Sequence, residues 1–193
     1  MAEAQTHKER TRARILDEAA HAMRESGPEG ISVAALMKRA GLTHGGFYAH
    51  FESRDDLVAH AIDRMFQDSK MIQTLKLSAD DPAVGLANLI DSYLSDRARL
   101  APATNCALPA LAGEASRLPA RARERFALGI QRFQQAIGES LAAIGKAEPE
   151  PLAASVLAEL VGAMSLARSM DDDAQASTML AASRQRLKER LGI

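Results

Sequence analysis

The sequence predicts an all-α protein in which three short N-terminal helices join a C-terminal helical bundle, about nine helices in all. Three observations carry this. No segment alternates apolar and polar residues with the period of a strand. Alanine is frequent, tryptophan is absent, and only five Phe and two Tyr occur, a composition that favours helices. Clusters of Gly and Pro then cut the chain into stretches whose apolar residues recur every three or four positions.

The first stretch, residues 6 to 25, puts Ile15, Ala19, Ala22 and Met23 on one face and ends at Ser26-Gly27-Pro28-Glu29-Gly30. Ser32 is an N-cap for a second, short helix with Val33, Leu36, Met37 and Ala40 facing inward, closed by Gly41. Thr43 is placed to cap a third short helix through Phe51. Ser53-Arg54-Asp55-Asp56 has the spacing of a capping box and opens a fourth helix to about Lys76, with Leu57, Ala61, Met65 and Ile72 in one stripe. Ser78-Ala79-Asp80-Asp81-Pro82 restarts the chain into a fifth helix to about Arg99, carrying Leu86, Leu89, Ile90, Tyr93 and Leu94.

Pro102 and Pro109 bracket Asn105-Cys106-Ala107-Leu108 in a broken region, from which a short sixth helix is expected to reach Glu114. The seventh has the clearest periodicity: Phe126, Ile130, Phe133, Ile137, Leu141 and Ile144, ending at Gly145. Pro149 and Pro151 open an eighth, apolar nearly all round, to about Met170. Asp171-Asp172-Asp173 caps a ninth, whose Arg184, Arg186, Lys188 and Arg190 crowd toward the end where cations suit the helix dipole.

At 193 residues, 47% hydrophobic and 25% charged, the chain can bury a core without disulfides and is neither disordered nor membrane-embedded by composition. Charged residues interrupt its apolar runs and its first ten residues, so a soluble, cytoplasmic protein with no membrane partner is expected. Cys106 is the single cysteine, able neither to form an internal disulfide nor to hold zinc alone. The net charge of −1 excludes a globally basic polyanion binder, so any such contact must be local. No metal-spaced His/Cys/Asp/Glu set, Gly-rich phosphate loop or nucleophile–base pair is visible, and no cofactor or metal is expected.

Residues 6 to 51 follow a helix-turn-helix plan with the turn at Ala40-Gly41-Leu42-Thr43. In the third element Phe47 and Phe51 lie four apart and anchor it, whereas Thr43, His44, Tyr48 and His50 offer hydrogen-bonding groups for phosphates or base edges. Gly45 and Gly46 each cost about 1 kcal/mol relative to Ala in a helix, a cost that makes sense where backbone must approach a bulky partner such as a duplex. Residues 1 to 60 hold as many acidic as basic side chains to within one, but His7, Lys8, Arg10, Arg12 and Arg14 cluster at the start, and all five histidines fall in this segment. Even a modest cluster gives steep salt dependence, since each neutralised phosphate releases counterions.

The run from Ile31 to Leu57, ISVAALMKRAGLTHGGFYAHFESRDDL, resembles the DNA-binding segment of the TetR family of bacterial transcriptional regulators. The shared pattern is a short second helix, an Ala-Gly-hydrophobic turn, a recognition helix ending in Tyr-x-x-Phe, then Ser-Lys/Arg-acidic-acidic-Leu. It covers about 45 residues from Arg10, and the remainder agrees only in length and helical layout. The resemblance implies a DNA-binding domain at 1–52 and an effector-binding and dimerisation domain at 53–193. It further implies that Ser32 and Thr43 are phosphate-contacting caps, that His44, Gly45 and Gly46 face the bases, and that Tyr48, His50 and Arg54 contact phosphate and groove. His44, where many members have Lys, and Ala49, where an aromatic or His is usual, depart from the pattern and leave the operator sequence open.

A helix-turn-helix module reads one half-site, and dimers span half-sites roughly 34 Å apart. The eighth and ninth helices are the expected isologous homodimer surface. The fourth to seventh helices are expected to enclose a small-molecule effector, apolar or aromatic by the scarcity of charge on the inner faces of the fifth and seventh. Cys106 has two readings: a redox or electrophile sensor near a helix N-terminus, as in TetR-type regulators with a similar segment, or a small buried hydrophobe, the commoner fate. The function expected is a repressor released from a palindromic double-stranded DNA operator by a small-molecule inducer, thiol-reactive if Cys106 is the sensor. The alternative is an all-helical small-molecule-binding protein or enzyme whose N-terminal helices are structural.

Overall fold

A computed structural model describes residues 6–29, 32–77 and 79–193, with residues 70–76 described by their backbone. Gly30 of the first breaker, Ile31 at the start of the motif run, Ser78 of the fifth-helix restart and the Ile72 side chain lie outside the described residues. Among the described residues there are nine α-helices, three 3-10 segments and no strand.

Helix α1 (His7–Ser26) starts at a full capping box: Thr6 Oγ1 accepts from the Glu9 amide at 3.2 Å while the Glu9 carboxylate accepts from the Thr6 amide at 2.7 Å. It stops at Gly27, whose φ of +73° disfavours a side chain. Helix α2 (Val33–Arg39) begins as expected, with Ser32 Oγ accepting from the Ala35 amide at 3.1 Å. Gly41, at φ +67°, ends it in a Schellman turn. There Leu42 N–H donates to the Met37 carbonyl at 2.8 Å and Gly41 N–H to Lys38 at 3.0 Å.

The third element differs from expectation. It is a 3-10 helix, His44–Ala49, and the Thr43 side chain makes no capping bond; Gly46 N–H donates instead to the Thr43 carbonyl at 3.1 Å. Six residues with two adjacent glycines cannot sustain an α ladder, and the tighter i→i+3 bonding suits so short a piece.

Helix α3 (Arg54–Leu77) begins at Ser53, whose Oγ accepts from the Asp56 amide at 3.1 Å. The reciprocal half of the box is shifted by one, because the Asp56 carboxylate receives the Glu52 amide at 3.4 Å. The expected fifth helix is two: α4 (Pro82–Tyr93), capped by Asp81, and α5 (Asp96–Leu100). The break falls at Leu94-Ser95, where Ser95 Oγ accepts from the Ala98 amide at 3.1 Å and starts a new helix. The expected sixth helix is likewise in pieces: 3-10 turns at Pro102–Thr104 and Ala115–Arg117 flank a single turn of α6 (Leu108–Leu111). Helices α7 (Ala120–Ala143), α8 (Pro149–Arg168) and α9 (Asp173–Leu191) complete the chain close to where periodicity put them. Asp172, the middle of the three aspartates, is the α9 cap, accepting from the Ala174 and Gln175 amides.

The core is continuous from Ile15 and Met37 through Leu57 and Met65 to Ile137, Leu160 and Leu180. Helix α3 is its spine, packing against α1 at one end and along α7 and α4 beyond. Ion pairs lace α3 to α7, Arg121 to Asp56 at 2.8 Å and Arg125 to Asp63. Helix α8 packs on both α7 and α9. By length and composition it could cross a bilayer, at a mean hydropathy of 1.3 with 39% of that window buried inside the fold. Its Leu166 is 58% exposed, an apolar side chain still lacking cover.

Packing of α7 on α3 depends on a missing side chain. A Cβ at Gly129 would lie 2.3 Å from the Phe66 ring, which rests there tilted against Phe126 with centroids 5.7 Å apart. At Gly138, also buried on α7, a Cβ would meet Ala153 at an ordinary 3.7 Å. Gly129→Ala is expected to cost roughly 1–3 kcal/mol by overpacking, whereas Gly138→Ala is expected to be neutral or to gain up to about 1 kcal/mol of helix propensity. Denaturant unfolding of the two variants side by side checks this pair.

Candidate nucleic-acid interface

The turn after α2 and the 3-10 helix behind it form a ridge whose inner and outer faces divide sharply. Phe47 and Phe51 are 1% and 2% exposed, stacked with ring centroids 5.6 Å apart, and anchor the ridge in the core. Tyr48 stands edge-on to Phe47 at 5.2 Å yet is 70% exposed. Thr43, His44, Gly45 and Ala49 are exposed with it, and Gly46 is half-buried. A Cβ at Gly45 would meet nothing within 4 Å, and one at Gly46 only Met37 and Thr43 at ordinary contact, so the fold itself does not require either glycine for space. What they provide is a bare backbone on the outward surface.

Charge gathers beside this ridge although the chain as a whole is nearly neutral. The Arg12 guanidinium lies over the Phe51 ring, 4.9 Å from its centroid. His50 is half-buried with an unpartnered Nδ1. Burial, then the nearby Lys8, Arg12 and His7 charges, hold its pKa below the ordinary histidine value. The first turns of α1 and the end of the recognition element thus meet in one cationic corner. Lys8, Arg12 and His50 were all visible in the sequence; that they converge was not.

Two of the expected contacts are engaged within the fold. Ser32 is exposed but its hydroxyl caps α2. Arg54 donates to the Pro28 carbonyl and pairs with Glu29 at 3.4 Å, so its guanidinium holds the turn between α1 and α2. Helices α3 and α7, with the start of α4, enclose a cavity of about 820 Å³. Its walls mix Phe66, Leu77, Leu128 and Phe133 with Arg125 and Glu139, more charge than the sequence led one to expect. Cys106 lies away from any long helix start, between the Pro102–Thr104 turn and α6. Burial pushes its thiol pKa up, with Tyr93, the Leu108 backbone and Ser69 opposing. By exposure Cys106 is half-buried, packed against the edge of the core. The neighbouring Tyr93 and Arg168, which sequence reading missed as a pair, are 75 residues apart and carry no shared motif.

Residues 15–61 match the family model for bacterial regulatory proteins of the tetR family. The match is confined to that N-terminal segment. Over nearly its whole length the chain also shares the fold of solved TetR regulators. One from Chloroflexus aurantiacus has a TM-score of 0.83 and 22% identity, covering 96% of each chain. Another from Cytophaga hutchinsonii has 0.83 at 19%, covering 97% of this chain and 98% of that one. Escherichia coli NemR in its reduced form has 0.82 at 18%, covering 93% and 96%. A comparison with curated proteins finds no match. The matched segment therefore includes the turn, the ridge and the first turns of α3.

His60 behaves like His50: burial first, then Arg12, lower its pKa, against the opposing pull of Asp56 at 3.4 Å. Both imidazoles favour the neutral form in the fold, so their contribution is fully present above the ordinary value of 6.5 and is lost as pH falls from there toward the folded values. Melting temperature is expected to drop between about pH 7 and pH 5, and a His50→Gln/His60→Gln variant is expected to flatten that slope in a thermal unfolding series.

Proposed function

We propose that the chain is a dimeric, ligand-responsive regulator of transcription, a repressor that occupies a palindromic double-stranded operator until a small-molecule inducer releases it. The observation that carries this reading is the tetR-family segment presenting Thr43, His44, Gly45 and Tyr48 outward beside the Lys8, Arg12 and His50 corner. In this reading His44, Gly45 and Gly46 approach base edges, and Thr43, Tyr48 and His50 take phosphates. Ser32 and Arg54 contribute at the margin, Ser32 through the N-terminus of α2 and Arg54 by holding the preceding turn. Residues 1–52 carry the DNA contacts and residues 53–193 the effector and dimer surfaces. No catalysis is assigned.

Helices α8 and α9 are the homodimer surface of this proposal, supported by the exposure of apolar α8 residues such as Leu166. The cavity between α3 and α7 supports an effector site, because α3 is the helix that leads directly from the recognition ridge. A ligand shifts the protein only by binding one conformation better than another, so an occupant that changes the spacing of α3 and α7 is the required kind. A thiol-reactive inducer is a narrower form of the same idea, to which the NemR structure in its reduced form lends interest. Burial makes Cys106 a slow thiolate nucleophile unless its region opens. A cytoplasmic location goes with the regulator reading.

Selection of bound DNA from a random duplex pool tests the proposal, with wild type, Tyr48→Ala/His50→Ala and Gly45→Ala run in parallel. Wild type is expected to enrich an inverted repeat and to lose affinity steeply between about 50 and 200 mM salt. The double variant is expected to enrich nothing. Gly45→Ala, which has open space for its Cβ, is expected to fold normally and bind about tenfold more weakly. A folded wild-type dimer that enriches no site at any salt concentration sinks the reading.

A further inference from the structure

Arg168, at the last turn of α8, is a half-buried arginine without a counter-charge. Its Nη2 donates to the Ala98 carbonyl at 2.9 Å, but Nε and Nη1 are out of solvent and bonded to nothing. The two arginines that are buried are both ion-paired, Arg24 with Asp68 at 3.1 Å although its Nε is also unbonded, and Arg99 with Asp96 and Asp173 at 3.1 and 2.8 Å. Among the described residues no carboxylate comes within ion-pairing distance of Arg168. The Tyr93 hydroxyl is also shut off from solvent and has the Cys106 thiol, a weak hydrogen-bonding group, beside it. Both groups lie near Arg168.

The chemistry of this cluster is lopsided. Burial pushes the Tyr93 hydroxyl and the Cys106 thiol up, so both are neutral, while a guanidinium stays cationic under any ordinary condition. What faces inward is a positive charge with two unbonded guanidinium nitrogens and, beside it, a hydroxyl whose neighbour is a thiol. An acceptor-only, negatively charged group satisfies all three at once, and a carboxylate offers the lone pairs in the planar geometry that a guanidinium fits. The way in passes Phe133. The Phe133 ring packs against Tyr93 with centroids 6.1 Å apart and forms part of the wall of the 820 Å³ cavity. Phe133 is therefore the partition between an open cavity with apolar surfaces and a closed, donor-rich end.

We propose that the effector is an amphipathic small acid: its apolar body fills the cavity between α3 and α7, and its carboxylate, reached when Phe133 turns aside, is held by Arg168 and Tyr93. This deepens the effector reading above and rests on it. The sequence-based expectation of a purely apolar or aromatic molecule is narrowed to one with an anionic head. Engagement of Arg168 joins α8 to the occupant, and that of Tyr93 joins α4, so a bound acid bridges the dimer helix and the helices nearest α3.

The test measures melting temperature and calorimetric binding on the full-length protein with straight-chain acids from acetate to octanoate and with benzoate, phenylacetate and cinnamate, each matched to its primary amide. At least one acid is expected to bind and to weaken operator binding, with its amide weaker by about tenfold or more. Arg168→Met and Tyr93→Phe, which keep volume and ring packing, are each expected to abolish the preference for acid over amide. Without ligand, Arg168→Met is expected to melt at or above wild type, because an unpaired buried charge is replaced by an apolar chain. Amides that bind as well as acids, or a variant pair that keeps the acid preference, overturn the head-group assignment and leave the cavity as an effector site. No binding by acid or amide, with Arg168→Met destabilised, makes Arg168 a strut for the Ala98 carbonyl and overturns the proposal. Operator binding that ignores these compounds and a neutral aromatic library alike is the distinct result that fails the effector reading itself.

Discussion

One buried guanidinium decides how the two ends of this chain are related. Arg24, near the end of α1, is 3% exposed and donates to the Met65 carbonyl at 3.1 Å, to Asp68 at 3.1 Å and to the Ala103 carbonyl at 3.0 Å. Those three acceptors belong to the middle of α3 and to the turn that precedes Cys106. Taking the charge out of water is costly, and these bonds are what offset it; the same geometry makes the three segments move as one. Arg64, ion-paired with Asp17 at 2.8 Å and Asp68 at 3.3 Å, extends the clamp along the α1–α3 seam. Asp68 is partly exposed, so its share of the attraction is screened, while the two backbone carbonyls carry the sheltered part.

With α1 fixed to α3, the recognition ridge has little freedom of its own. Phe47 and Phe51 bury into the core made by these helices, and Arg54 pins the turn above them. The other half of α3 runs along α7, joined by Arg121–Asp56 and Arg125–Asp63 and by the Phe66 ring seated on Gly129. A change in α3–α7 spacing is then transmitted as a tilt of a stiff element rather than absorbed locally, since packed interiors deform little. Under the proposed function this is how an occupant of the cavity would reach the DNA.

Electrostatics follow the same logic of placement over total. A chain with a net charge of −1 has no field to draw a polyanion from a distance. Folding sets Lys8, Arg12 and His7 against His50 at one corner while Arg39, Arg54 and Arg64 are paired with acidic neighbours. Local positive potential is therefore a product of which cations the fold leaves beside the ridge. Arg168 illustrates the same rule in the interior, where position rather than composition makes a charge available.

Much of this was legible in the sequence because it depends on neighbours along the chain. Helix starts at Ser32, Ser53, Asp81 and Asp172, stops at Gly27 and Gly41, the long period of α7 and the spacing of Phe47 and Phe51 are all local, set by hydrogen bonds and rotamers within a few residues. So was the tetR-like turn and ridge, whose motif is contiguous. The 3-10 form of the ridge, the break of α4 from α5 at Ser95 and the fragments around α6 were not, since either state is locally tolerable and packing selects between them. Only the tertiary structure decided what long-range contact decides: that Arg24 and Arg54 serve the fold, that Cys106 is half-buried, and that Tyr93 and Arg168 lie near one another. The physical reason is that burial and pairing are properties of a place, and residues dozens of positions apart acquire a common place only once the helices pack.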